Sequence, residues 1–282
     1  MSATTYNVIF QGDAFSVGDY RCAGHSSDSA ENSSSYSLSF VRRGVFRVRR
    51  GSQSALLSPV HAFLVTPDHP FTVDHPVDGG DECTVFTFTE RGWEMIEGEL
   101  RGIFREVQAF AAAVGFLAQT RMLQRIVSGD GGVEEAGWAA IASFSAGAGA
   151  EPCSGPSSHV RRAVAVAEEL LAAHFDEQLP LRAIAGHAGL SQFHLCRGFR
   201  QVTGVSMHRY QSLLRLRSAM QRLKQGADNL TRLALDLGFS DHSHFCRAFR
   251  REFGMQPSAF RSGASQGTSP AEGRSAKPGE GC

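Results

Sequence analysis

Ala234-Leu235-Asp236-Leu237-Gly238-Phe239-Ser240, then His244-Phe245-Cys246-Arg247-Ala248-Phe249-Arg250 and Gly254, is the second writing of one pattern. The first copy reads Ala185-Gly186-His187-Ala188-Gly189-Leu190-Ser191, then His194-Leu195-Cys196-Arg197-Gly198-Phe199-Arg200 and Gly204, with one residue fewer after the turn. Each copy predicts a helix-turn-helix. Ala185 and Ala234 are small enough for a second helix to cross closely, and Gly189 and Gly238 supply the positive φ of a tight interhelical turn. Ser191 and Ser240 are the expected N-caps of the second helices. Leu195 and Phe199, and Phe245, Phe249 and Phe253, then recur at helical spacing and form a seam that packs inward.

Working outward from that seam, the opposite face carries Gln192, Phe193, Cys196, Arg197 and Arg200 in the first copy. In the second it carries His242, Ser243, His244, Arg247 and Arg250. These side chains suit base edges and phosphates, and Asp241 is the one carboxylate at the start of the second set. Between the copies, Ser206 to Lys224 reads as a helix with Tyr210, Leu213, Leu214, Leu216, Met220 and Leu223 as its buried stripe. At roughly 1.5 Å per residue it spans about 28 Å, against about 34 Å between successive major-groove faces. One rigid helix can therefore set the spacing of two readers. Gly198, inside the first reader helix, is expected to soften it by about 1 kcal/mol relative to Ala.

Charge follows the same division. The formal net charge is zero, yet residues 1–150 hold 11 Lys and Arg against 17 Asp and Glu, whereas residues 157–261 hold 15 against 8. A basic half favours a polyanion partner and salt-sensitive binding; an acidic half does not.

The stretch from Leu181 to Arg261 resembles the C-terminal domain of the AraC type (AraC/XylS family) of bacterial transcription regulators. The second copy carries the resemblance through Gly238-Phe239, Ser243-His244-Phe245, Arg247, Phe249-Arg250, Phe253-Gly254, Pro257 and Phe260-Arg261. Gln256 departs from the Ser or Thr that usually precedes the Pro. The resemblance implies two units entering adjacent major grooves, with Phe193, Cys196 and Arg197 reading one and Ser243, His244 and Arg247 the next. It also implies double-stranded DNA and RNA polymerase as partners, a small-molecule effector, a homodimer, and regulation of transcription, activation included, rather than enzymatic catalysis.

The remainder predicts β structure first and helices after. Tyr6 to Gln11 reads as a strand, Tyr36, Leu38 and Phe40 alternate with serines, and Arg42-Arg43-Gly44 reads as a turn into a strand through Phe46 and Val48. Cys83 to Thr89 alternates again, with Phe86 and Phe88 on one face and Cys83 and Val85 on the other. Short strands at this spacing suggest a small barrel or jelly roll, in agreement with the cupin-like sensor domain that the family resemblance implies. Glu94 to Val127 and Glu134 to Phe144 then read as supporting helices, and Val160 to Phe175 as the lead helix of the DNA module. The expected organisation is a cupin-like sensor or dimerisation domain over 1–146, a linker over 147–157, an all-α double helix-turn-helix domain over 158–262 and a disordered tail over 263–282.

His61, His69, His75, Asp74, Asp81, Glu82 and Cys83, with Cys22 and His25 upstream, form the one group in the N-terminal half with metal-ligand chemistry. A cupin metal signature of His-x-His followed by Glu is absent, so the favoured reading is no metal and no cofactor. The alternative is a metal-binding cupin enzyme or a metal sensor fused to a DNA module. The six cysteines form no CxxC pair and are expected to be reduced thiols. Cys196 and Cys246 fall at equivalent positions and are read as packing or DNA contact rather than redox sensors. No signal-peptide pattern precedes Tyr6, and the most apolar stretch, Ala109 to Ala118, is too short for a bilayer, so the protein is expected to be cytoplasmic and away from membranes.

Overall fold

The computed structural model describes residues 4–24, 30–67, 69–77, 79–98, 108–110, 113–129, 131–145, 156–227 and 229–265. The strands are β1 (Thr4–Gln11), β2 (Phe15–Cys22), β3 (Ser37–Gly44), β4 (Phe46–Arg50), β5 (Gln53–Leu57), β6 (His61–Val65), β7 (Thr72–Asp74), β8 (Asp81–Phe88) and β9 (Gln108–Phe110). They pair as a six-stranded sheet, β1-β2-β8-β3-β6-β9, and a three-stranded sheet, β5-β4-β7, two sheets rather than one closed cylinder. Helices α1 (Glu90–Glu94), α2 (Ala113–Ser128) and α3 (Val133–Ser145) accompany them.

Alternation along the strands decides what each face of the large sheet meets. Phe15, Val17, Leu38, Phe40, Phe86 and Phe88 point to one side and bury themselves with Trp93, Met122, Ala140 and Ile141 of the helices. Val41, Phe63, Val65 and Cys83 point to the other and meet Phe46, Val48, Leu57 and Val73 of the small sheet. Each large apolar side chain taken fully out of water here contributes about 1.5–3 kcal/mol.

Two expectations for this half are corrected. Arg42-Arg43-Gly44 is not a turn: β3 runs through it with a register irregularity between Val41 and Arg43, and the break falls at Val45. The helix expected from Glu94 to Val127 is interrupted, because Gln108–Phe110 pairs antiparallel with β6 as its outer neighbour. Unpaired backbone groups along the β6 edge compete with helix propensity and win there. Much of that stretch, with the interval 146–155 and the segment 266–282, lies outside the described residues, so most of the predicted linker and most of the tail do too. Residues 263–265 belong to a helix, Pro257–Ser265, rather than to a disordered tail.

The C-terminal half is helical: α4 (Ser158–Ala173), α5 (Leu181–Ala188), α6 (Gln192–Thr203), α7 (Met207–Lys224), α8 (Leu230–Asp236), α9 (His242–Phe253) and α10 (Pro257–Ser265). The stripe of α7 divides between two cores. Tyr210, Leu213 and Leu214 join Leu195, Phe199 and the α4 residues Val164, Ala167 and Leu171. Leu216, Ala219, Met220 and Leu223 join Leu233, Phe239, Phe245, Phe249 and Phe253. One helix is thus a wall of both units.

The β half contributes to both cores. Val45, Leu56 and Val60 complete the first, and Phe116 the second. A polar seam accompanies this contact. Ser58 Oγ lies 3.0 Å from Tyr210 Oη, the Arg217 guanidinium donates to the Pro59 carbonyl and lies 4.7 Å from the Phe116 ring centroid, and Arg47 pairs with Asp74 and Glu169. His61 Nε2 stands 3.7 Å from Glu168 Oε1, both nearly inaccessible. Burial raises the Glu168 carboxyl to about 8, and burial with the neighbouring Arg217 lowers the His61 imidazole to about 3, so both are neutral at pH 7.

Candidate DNA-binding surface

The two turns take the predicted geometry. α5 ends at Gly189 with φ +67°, and α8 gives way through Leu237 to Gly238 with φ +77°. Ala185 and Ala234 are both buried at the crossings. Ser191 caps α6, its Oγ accepting from the His194 backbone N–H at 3.3 Å.

The second cap differs from the expectation. Asp241, not Ser240, caps α9, accepting from the His244 backbone N–H at 2.7 Å. The extra residue after the second turn moves the cap by one position. Ser240 Oγ instead braces the cap, donating to Asp241 Oδ2 at 3.0 Å and lying 3.1 Å from His244 Nδ1. The backbone N–H of His244 and the Ser240 hydroxyl hold the Asp241 carboxyl below its ordinary value, so it stays charged at the positive end of the helix.

The inward seam is as read: Leu195, Phe199, Phe245 and Phe249 are wholly buried and Phe253 nearly so. Opposite it, Gln192, Phe193, Cys196, Arg197 and Arg200 are exposed on α6, Phe193 at 70%. On α9, His242, Ser243, Arg247 and Arg250 are exposed and His244 is half-buried against Phe239. All ten side chains therefore lie off the cores; the β half meets α4 and α7, and its helix α2 also packs against the buried side of α9 through Phe116. Cys246 Sγ lies 3.3 Å from His242 Nε2, and partial burial pushes its thiol up, away from the reactive thiolate.

Gly198 has a reason that periodicity does not reveal. It is buried where α6 crosses α4, and a Cβ there would stand 2.6 Å from Val160 Cγ1. Its low helix propensity accompanies a close helix approach. Sequence reasoning also missed two arginines. Arg217 stands seven residues after Tyr210, in register with the apolar stripe, a signal that it is a core position. Arg215 carries no such signal. It donates to the carbonyls of Phe175 at 2.5 Å, Gly238 at 2.7 Å and Glu177 at 2.8 Å, tying the second turn to the segment between α4 and α5.

The metal-ligand types of the β half separate. His69 is exposed, with Nδ1 2.8 Å from the Pro67 carbonyl; Asp74 pairs with Arg47 and Arg49; Glu82 with Arg42 and Arg43; His61 belongs to the seam described above. His25 lies outside the described residues. Cys22, His75 and Asp81, from three separate segments, converge. Among the described residues no helix is long and apolar enough to cross a membrane.

Residues 184–263 match a family described as a helix-turn-helix domain. Over 90 residues the chain is 41% identical to the HTH-type transcriptional activator RhaS of Escherichia fergusonii, a segment that is 32% of this chain and 32% of that relative. The chain thus matches about a third of the length of such curated relatives. Among solved structures, a transcriptional regulator from Chromobacterium violaceum, with an AraC-type DNA-binding domain, is 30% identical over 39% of this chain and 98% of its own, at a TM-score of 0.36. ToxT from Vibrio cholerae is 14% identical over 89% of this chain and 99% of its own, at a TM-score of 0.35.

Proposed function

We propose that this chain, whose residues 184–263 match a helix-turn-helix family, is a DNA-binding regulator of transcription of the AraC type. The observation that carries this is the pair of exposed, cation-bearing faces of α6 and α9 on the two ends of one shared helix, α7. In this reading Arg197 and Arg247 pair with guanine edges, with Gln192, Phe193, Cys196, His242, Ser243 and His244 around them. Arg200 and Arg250, one turn on, hold phosphates. The module runs from 158 to 262, preceded by a sensor or dimerisation domain over 1–146 joined through 147–157.

In this reading the two facing sheets are the cupin-like part, and its effector is a small molecule. A cleft of about 490 Å³ between the halves, lined by Arg42, Arg43, Pro59, Ser218, Gln221 and Arg222, is where such a molecule would touch both at once. RNA polymerase and a second copy of the chain are the further partners, in the cytoplasm. Catalysis is not part of the proposal.

The test is titration of the full chain onto labelled duplex DNA at several salt concentrations. Binding that weakens steeply with salt supports the reading. No duplex binding at low ionic strength overturns it.

A further inference from the structure

The last residue of β2 and the first residues of β8 bring together side chains that the sequence keeps far apart. Cys22 pairs directly with Asp81 across the antiparallel register, and Cys83 lies two residues further along β8 on the same face. His75, from the loop after β7, completes the group: the donor atoms of Cys22, His75 and Asp81 all lie within 4.8 Å of one another. His75 Nε2 is 2.7 Å from Asp81 Oδ1, and Cys83 Sγ is 3.3 Å from Asp81 Oδ2. All four side chains are nearly inaccessible, Cys22 at 5%, Cys83 at 3%, and the His75 and Asp81 side chains at 4% and 3%.

We propose that Cys22, His75 and Asp81, with Cys83 as the fourth donor, bind one divalent cation of the zinc class in the N-terminal half. Two sulfurs, one imidazole and one carboxylate suit that class; Ca²⁺ and Mg²⁺ require all-oxygen sets. In a tetrahedral zinc site, neighbouring donors stand roughly 3.3–3.7 Å apart. The donors of Cys22, His75 and Asp81 are therefore within about 1.5 Å of a binding geometry, and the Cys83 thiol, outside that group of three, turns in from its bond to Asp81 to complete it. His75 and Asp81 must separate by about 1 Å, as a cation takes the place of the hydrogen-bonding proton between them.

The surroundings hold the donors in place. A Cβ at Gly80 would lie 1.9 Å from the Cys22 carbonyl, and one at Gly24 3.2 Å from the Gly80 nitrogen, so the two ligand-bearing backbones touch. The Gly24 N–H donates to Cys22 Sγ at 3.4 Å and the Thr4 hydroxyl at 3.8 Å, the kind of outer donors that support a metal thiolate. A buried His–Asp ion pair with two thiols merely packed beside it is the rival account. It gives no reason for donors directed at Cys22.

The experiment uses the full chain, stripped with a chelator under reducing conditions and titrated with Co²⁺ and then Zn²⁺. The site predicts saturation at about one equivalent, near-ultraviolet thiolate-to-cobalt absorption, visible bands of tetrahedral cobalt, and their displacement by stoichiometric Zn²⁺. Proton release on binding follows. A variant with serine at Cys153, Cys196, Cys246 and Cys282 keeps the spectrum. Cys22→Ser removes much of the charge-transfer absorption, Asp81→Asn weakens binding at least about tenfold, and His69→Ala changes neither. The proposal is overturned if the wild-type chain gives no thiolate-to-cobalt band, or if folded Cys22→Ser keeps that band at its full intensity. Should Cys22→Ser fail to fold, His75→Gln takes its place, with persistence of the visible bands as the contrary result. DNA binding is not a readout here, so failure of this site leaves the regulator reading untouched.

Discussion

Gly189 and Gly238 occupy the same position in the two repeats, yet replacing each by alanine is expected to differ in effect. Both have φ in the left-handed region, +67° and +77°, which an L side chain adopts at roughly 1–2 kcal/mol. At Gly189 a Cβ meets nothing within 4 Å. Alanine there loses only the conformational term, offset by roughly 0.4–1 kcal/mol from a stiffer unfolded chain. At Gly238 the Cβ would stand 2.0 Å from the Asp176 carbonyl oxygen. That carbonyl cannot withdraw easily, because Arg215 grips Phe175 and Glu177 on either side of it and Gln178 donates to Gly238 itself at 3.1 Å. Overpacking of this kind adds roughly 1–3 kcal/mol. Gly189→Ala is therefore expected to destabilise by about 1.5 kcal/mol or less and Gly238→Ala by about 1–3 kcal/mol more than that. Urea denaturation of the two variants beside the parent chain measures both. Equal effects at the two glycines would refute the reasoning, since then the turn conformation alone, and not the Asp176 contact, sets the cost.

The remaining expectations concern helix approach, pH and the reader side chains. Gly198→Ala sets about 1 kcal/mol of helix propensity against the Val160 contact, so its effect should become more favourable in a Val160→Ala background, a coupling that a double-mutant cycle of denaturation midpoints detects. Glu168, raised to about 8 from 4.5, contributes stability that is complete below 4.5 and lost as pH rises through 8; His61, lowered to about 3 from 6.5, contributes stability complete above 6.5 and lost as pH falls through 3. The slopes oppose one another between 4.5 and 6.5, so stability measured across pH should be level there and fall by roughly 2 kcal/mol from pH 6.5 to 8, a fall that Glu168→Gln abolishes. Arg197→Ala or Arg247→Ala should weaken DNA binding by about 1–3 kcal/mol and relax preference within one block of the site. Arg200→Ala or Arg250→Ala should instead weaken all sequences alike and lower the salt slope by about one, both read from competition titrations.

The helical half was legible because each of its features is local. Ala, Gly, Ser and the apolar seam lie within one turn or two, so Leu195 and Phe199, or Phe245, Phe249 and Phe253, declare which way each helix faces. The second cap escaped by one residue, since Ser240 and Asp241 are both good caps and only the turn chooses between them. What the sequence withheld is long-range. The alternation of β8 is plain from its own residues, but Gln108–Phe110 became a strand only because the β6 edge was there to pair with it. Arg215 has no local signal at all, and although Arg217 falls in the apolar register, the carbonyl groups that hold both arginines come from elsewhere in the chain. Cys22, His75 and Asp81 carry no spacing signature because strand pairing and a loop, not a helix or a short motif, bring them together.

The central claim is that one chain carries two readers at a fixed separation. Selection of bound duplexes from a random pool by the full chain tests it most directly, repeated with Arg247→Ala. The account predicts two short sequence blocks with centres about one helical turn, roughly 10–10.5 base pairs, apart, and loss of preference in one block alone for the variant. A single block, or enrichment without any sequence preference, would contradict it.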